Sequence, residues 1–186
     1  AVPSPLLYEF EIVRDWLTMR DGVRLSVTYF KPLPPGPEER FPVLFELLPY
    51  RKDDRFYLRD YPLYSYFARR GYVCAVQDCR GRFSSEGVWE PFVNDPQDGH
   101  DTIEWLAVQP WSNGKVGMIG GSYVGWVQLY AASEKPPHLT TIIPNVAPPD
   151  PFFNMPYEYG SFFILGAIFR RHRIARLGES AAFGVQ

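Results

Sequence analysis

A β-like run, Lys115 to Ile119, passes through Gly120-Gly121-Ser122-Tyr123-Val124-Gly125 into an apolar helix-like run, Tyr123 to Ser133, and no other stretch constrains the fold so tightly. A strand, a glycine turn and a helix in immediate succession lift Ser122 off the end of a sheet. The helix starting behind it offers free backbone N–H groups and a positive dipole end to a developing oxyanion. A hydroxyl so placed is a candidate nucleophile for acyl transfer. The same glycines also read as a device for packing a strand close to a helix. The strict G-x-S-x-G spacing is missed, because Val124 stands two residues after the serine and Gly125 follows. On the hexapeptide alone both readings stay open.

The rest of the chain supplies the frame. Phe10 to Met19 and Arg24 to Phe30 read as strands joined by Asp21-Gly22, a hairpin dipeptide. After a Pro-rich loop, Pro32 to Pro37, the apolar run Val43 to Leu48 has buried-strand length. Tyr61 to Arg70 reads as a helix ended by Gly71, and Tyr72 to Gln77 as another buried strand. A polar loop, Arg80 to Gly87, leads to a helix over Asp95 to Val108, with Asp95, Asp98 and Asp101 in its first turns, where acids suit the helix dipole. Asn113-Gly114 turns the chain toward Ser122. The Tyr123 to Ser133 helix is apolar on nearly every side, Pro136-Pro137 stops it, and Leu139 to Val146 is one more strand. This alternation predicts an α/β fold, a mostly parallel sheet flanked by helices and preceded by an antiparallel hairpin.

Past Pro148-Pro149-Asp150-Pro151 the character changes to a Phe-rich tail that ends in Arg170, Arg171, His172 and Arg173. Residues 1–149 read as one core unit and 150–186 as the start of a cap, with a helix over Gly160 to Phe169. Trp126, on the buried helix, is assigned to packing.

At 186 residues and 46% hydrophobic content the chain can bury one core, yet it is short for a serine hydrolase on a wide parallel sheet. A net charge of −2 with signs interspersed argues against a nucleic-acid partner. No run approaches the ~20 apolar residues of a membrane span, so no membrane partner is expected. Ala1 to Leu7 lacks the layout of a secretory signal. Cys74 and Cys79 lie too close along one extended segment to face each other, which favours two reduced thiols and a cytoplasmic location. There is no His-x-x-x-His, no Cys pair at ligand spacing and no Gly-Lys-Ser/Thr ending, so neither metal nor cofactor is expected.

Five segments taken together resemble one family: Met19-Arg20-Asp21-Gly22-Val23-Arg24-Leu25, Pro49-Tyr50-Arg51-Lys52-Asp53, Gln77-Asp78-Cys79-Arg80-Gly81-Arg82, Asp101-Thr102-Ile103-Glu104-Trp105-Leu106, and Gln109 to Gly117 running into the Ser122 hexapeptide. Their order and spacing are similar to those of the cocaine esterase/X-prolyl dipeptidyl peptidase group of α/β-hydrolases, CocE/NonD and S15-like. In that group a tyrosine follows the nucleophile and the second glycine is displaced by one place, as here. The resemblance implies an α/β-hydrolase fold and acyl-enzyme chemistry with Ser122 as nucleophile. It implies the Tyr123 backbone N–H and the Tyr50 hydroxyl as oxyanion donors, and Tyr157 as an aromatic set against the substrate. An aromatic in so Phe-rich a tail reads equally as ordinary core. The substrate implied is a small ester or amide.

The missing piece is the base. His100 sits in a first helical turn among acids, His138 in a surface connection, and His172 in a basic cluster that disfavours an imidazolium. In this fold the order is Ser, then Asp or Glu, then His. The resemblance places both later members beyond the cap, so the sequence reads as an N-terminal fragment whose partner is the remaining C-terminal part of the same enzyme, including a β-sandwich domain. Competing readings are a complete small hydrolase using Asp150 and His172, an X-prolyl peptidase or an α-amino-acid ester or β-lactam acylase, and a non-catalytic interaction module with an open sheet edge. Asp78, Arg80 and Arg82 read as loop-ordering ion pairs rather than catalytic groups.

Overall fold

The computed structural model describes residues 5–36, 38–53, 55–150, 157–158 and 161–162. The chain order is β1 (Phe10–Thr18), β2 (Arg24–Pro32), β3 (Phe41–Leu48), α1 (Arg55–Ala68), β4 (Val73–Asp78), α2 (Asp95–Ala107), β5 (Ser112–Gly121), α3 (Tyr123–Ser133) and β6 (Leu139–Asn145), then two short strands, β7 (Tyr157–Glu158) and β8 (Ser161–Phe162). The main sheet runs β1-β2-β4-β3-β5-β6. β1 and β2 form the expected antiparallel hairpin, and Gly22 takes the positive φ (86°) that its turn needs. β2 also lies antiparallel to β4, whereas β4, β3, β5 and β6 are mutually parallel. This is the predicted α/β sheet, and the helices follow from the parallel connections it requires.

Period-2 alternation sorts the core onto the two faces of the sheet. Val43, Phe45, Leu47, Val73 and Ala75 point to one face, with Ile103 and Leu106 of α2 and Val127 and Ala131 of α3 in the same cluster. Leu48, Cys74 and Val76 point to the other, against Tyr64 and Ala68 of α1. The α2–α3 contact is close: a Cβ on Gly99 would come within 2.8 Å of the Ala131 Cβ.

Two elements differ from the sequence reading. α1 begins at Arg55, ahead of the expected Tyr61, and carries Pro62 inside it. A proline interior to a helix forfeits one backbone bond and resembles a first-turn residue in sequence, so the earlier turn is invisible without tertiary packing. Its end is as expected: Gly71 (φ 83°) donates to the Ala68 carbonyl at 3.1 Å and Tyr72 to the Phe67 carbonyl at 3.2 Å, a Schellman closure. In the tail, Ser161–Phe162 is a strand paired antiparallel with Tyr157–Glu158, where a helix over Gly160 to Phe169 was expected. Tyr and Phe favour strands, and an apolar run this short does not distinguish the two periods. The remainder of that predicted helix, and His172 with its arginines, lie outside the described residues. No helix among the described residues is long and apolar enough to cross a membrane.

Candidate active site

Ser122 lies one residue beyond β5 and caps α3 with φ 62° and ψ −123°. A serine at positive φ is strained by roughly 1–3 kcal/mol and persists only where its surroundings over-determine it. They do so here: the Ser122 N–H donates to the Asn145 carbonyl at the end of β6 (2.9 Å), and the Ser122 carbonyl accepts from Gly125 (3.0 Å) and Trp126 (3.1 Å). Ser122 is one of six described non-glycine residues at positive φ, and it stands at the turn from β5 into α3 on the carboxyl rim of the parallel sheet.

The neighbouring glycines are steric necessities. A Cβ on Gly120 (φ 132°) would lie 2.3 Å from Cγ1 of Val124, so Val124 nests directly over that bare backbone. A Cβ on Gly125 would meet the Ala147 Cβ at 2.7 Å and the Asn145 carbonyl oxygen at 2.9 Å. The glycine displaced by one place is therefore the one that lets the exit of β6 approach the helix. Both readings of the hexapeptide hold at once, since the close packing is what fixes the elbow. Gly125→Ala gains about 1 kcal/mol of helix propensity but overpacks against the backbone that accepts the Ser122 N–H. A net destabilisation of ~1–3 kcal/mol is expected, read as a lowered midpoint in thermal or urea denaturation.

Tyr123 stands at the first helical position, where its N–H has no carbonyl within the helix to reach. Its side chain is buried, and the hydroxyl donates to Asp95 Oδ2 at 2.5 Å while accepting from the Phe92 N–H at 3.2 Å. The ring stacks on Phe92, with centroids 4.2 Å apart. Asp95 is itself buried and also accepts from the Phe92 N–H (3.1 Å). Burial raises its pKa, against the opposing pull of its hydrogen bond from Tyr123. The residue beside Ser122 is thus pinned by the start of α2. The sequence places Asp95 and Asp98 in the first turns of a helix, where acids suit the dipole; in the structure both are buried and bond to side chains, Asp98 to Arg80 at 2.6 and 3.0 Å. Nothing local distinguishes a dipole-matching acid from one with a tertiary partner.

Tyr50 follows β3, the parallel neighbour of β5. Phe45 lies beside Met118 with the two strands parallel, and Tyr50 and Ser122 follow their carboxyl ends, so both leave the same rim of the sheet. The half-buried Tyr50 ring packs against both core clusters and meets the Tyr123 ring edge-on at 6.5 Å. The loop around it is constrained. Arg51 has φ 72°, Arg82 Nε donates to the Pro49 carbonyl (3.3 Å), and the Lys52 N–H donates to Asp78 Oδ1 (3.0 Å). Burial pushes the Asp78 carboxyl up to about 6. The expected charged knot is dispersed among separate partners. Arg80 ties Asp98 to Asp21 of the hairpin turn, which fits a loop-ordering role, whereas Asp78 and Arg82 hold the Tyr50 loop.

The two described histidines, His100 and His138, lie apart from this rim. His138 precedes β6, its carbonyl accepting from Val116 (3.1 Å) and its Nδ1 lying 2.8 Å from Glu104. Ser122 lies six positions along the chain from Val116, roughly 20 Å at strand rise. His100 Nδ1 lies 3.2 Å from an Arg20 nitrogen, on the hairpin side of α2. Tyr157 lies in β7, and His172, the proposed partner of Asp150, lies outside the described residues. Cys74 and Cys79 are both free and buried. Among the described residues no cluster of His, Cys, Asp and Glu could hold a metal ion.

The chain is similar in sequence and in fold to known proteins. The chain is 42% identical over 133 residues to the cocaine esterase of Rhodococcus sp. (strain MB1 Bresler), an alignment covering 71% of this chain and 23% of that enzyme. It superposes on an α-amino acid ester hydrolase with TM-score 0.68 and 29% identity over 83% of this chain and 28% of the other. It also superposes on a CocE/NonD family hydrolase from Staphylococcus aureus, with TM-score 0.64 and 29% identity over 72% and 27% of the two chains. The chain spans about a quarter of the length of these relatives. Their fold is the α/β-hydrolase fold, and the six-stranded mixed sheet with its flanking helices is the same architecture. The family model described as X-Pro dipeptidyl-peptidase (S15 family) matches residues 21–169, from the hairpin turn through the Ser122 elbow and beyond, and the chain belongs to that family of hydrolases.

Proposed function

We propose that the chain carries the nucleophile side of a serine hydrolase site that cleaves carboxylic esters through an acyl-enzyme. The observation that carries this reading is the Ser122 backbone, φ 62° and ψ −123°, at the carboxyl rim of β5 and the start of α3. The Ser122 hydroxyl attacks the ester carbonyl and gives its proton to a histidine base. The carbonyl oxygen becomes an oxyanion held by the Tyr123 N–H and the Tyr50 hydroxyl, and the alcohol leaves with the proton returned by the base. Water then attacks the Ser122 ester by the same route. Base and acid come from residues following a cap that begins near residue 150, so that residues 1–149 are the first part of the catalytic core. Tyr157 lies near the substrate, and no cofactor takes part. Two buried reduced thiols support a cytoplasmic location.

A second reading keeps the machinery and changes the substrate. The family description and the α-amino acid ester hydrolase among its neighbours favour amides or esters bearing an α-ammonium group. A fluorophosphonate probe on the full-length protein, followed by peptide mapping, separates the outcomes alongside assays with p-nitrophenyl esters and Xaa-Pro amides. Label on Ser122 with ester turnover is expected. Exclusive amide cleavage would move the assignment to the peptidase reading, and absence of label on Ser122 would end both.

A further inference from the structure

We propose that Asp78 and Arg82 are positioning residues for Tyr50; the proposal rests on the reading of Tyr50 as an oxyanion donor. Three residues between the end of β3 and Lys52 are fixed from the exit of β4. The Cys79 N–H donates to the Leu48 carbonyl at 3.0 Å, Arg82 Nε to the Pro49 carbonyl at 3.3 Å, and the Lys52 N–H to Asp78 Oδ1 at 3.0 Å. Between the last two lies Arg51 at φ 72°, a conformation that L side chains adopt rarely and that the bonds on either side of it hold in place. Tyr50 sits inside this bracket.

The chemistry of the two anchors argues against a role in stability alone. Asp78 is 1% exposed, and burial raises its pKa against the backbone hydrogen bonds from Lys52 and Ser84. The Lys52 ammonium is paired with Asp53. Burying a carboxylate is costly, and an apolar residue of similar size at such a place is often neutral or stabilising. Its Oδ1 goes to the oxyanion loop. Arg82, also buried, has its guanidinium 4.8 Å from the Phe83 ring centre and 4.5 Å from that of Trp89. Stacking against both rings fixes the plane of the guanidinium and so the direction in which Nε donates. Trp89 in turn lies 6.3 Å from the Tyr123 ring, so the anchor of one proposed donor is packed against the residue supplying the other. Displacing a catalytic group by an ångström can cost on the order of a hundredfold in rate, so a loop held at three points is a rate device.

The test is a double-mutant cycle on the full-length protein, with p-nitrophenyl acetate as substrate. Asp78→Ala is expected to lower kcat about tenfold with KM within about twofold, since the loss is confined to the transition state. In a Tyr50→Phe background the same change is expected to lower kcat by less than about twofold, because there is no hydroxyl left to misplace. Equal losses in both backgrounds would overturn the proposal and leave the Tyr50 reading standing. Full activity of Tyr50→Phe itself would remove the oxyanion reading and this proposal together. Arg82→Lys keeps the charge and removes the Nε donor, and it serves as the second arm if Asp78→Ala does not fold. The same non-additive loss is expected, and a wild-type kcat there would contradict it.

Discussion

Ser122→Ala is expected to abolish ester turnover by the full-length protein, with kcat reduced on the order of 10⁴- to 10⁶-fold, the range in which loss of an activated nucleophile leaves only residual catalysis from binding and the oxyanion site. Fluorophosphonate labelling should vanish with it. The fold should not: the Ser122 backbone bonds to Asn145, Gly125 and Trp126 do not involve the hydroxyl. Position 122 also permits a paired test of strain. Alanine inherits the positive φ of 62°, whereas glycine adopts that region freely, so Ser122→Gly should be inactive yet more stable than Ser122→Ala by about 1 kcal/mol. Two inactive variants ordered this way by denaturant midpoint would show that the elbow holds strain for the sake of the hydroxyl. A Ser122→Ala enzyme with more than about a hundredth of the wild-type kcat would remove serine catalysis.

Tyr50→Phe is expected to lower kcat about 10²- to 10³-fold with KM little changed, the loss that follows removal of one oxyanion donor. The phenylalanine ring keeps the packing against both core clusters and the edge-on contact with Tyr123, so stability should hold within about 0.5 kcal/mol. That separation of rate from stability is the useful feature. An oxyanion donor acts on charge that exists only in the transition state, so its removal appears in kcat. A core tyrosine with a wet hydroxyl would give no change in either quantity. A kcat within about threefold of wild type would assign the oxyanion to other donors.

The elements legible in the sequence are those whose cause is local. Continuous apolar runs placed β3 and β4, and a β-like run placed β5, within a few residues, Asp21-Gly22 gave the hairpin, and Gly71 marked the end of α1. The strand, turn and helix around Ser122 were likewise written in the chain, because a β-like run, a pair of glycines that permit a sharp turn, and an apolar helical run follow one another directly. Features whose cause lies elsewhere in the fold were not legible. The first turns of α1 precede Pro62, a residue that reads locally as a helix start, and β7–β8 replaced an expected helix start because short apolar runs carry no period.

For the site the division is sharper. Sequence by itself determined which residues stand at the rim: a serine forced off the end of β5, a helix N–H behind it, and a tyrosine just past β3, each fixed by position along its own element. Tertiary structure alone decided what holds them there. Asp95 under the Tyr123 hydroxyl, Asn145 on the Ser122 N–H, Ala147 against Gly125, and Asp78 with Arg82 around Tyr50 are all contacts between segments distant in the chain. Burial turned ordinary surface-type charges into anchors, because a buried polar group must find a partner, and the fold determines which partner is within reach.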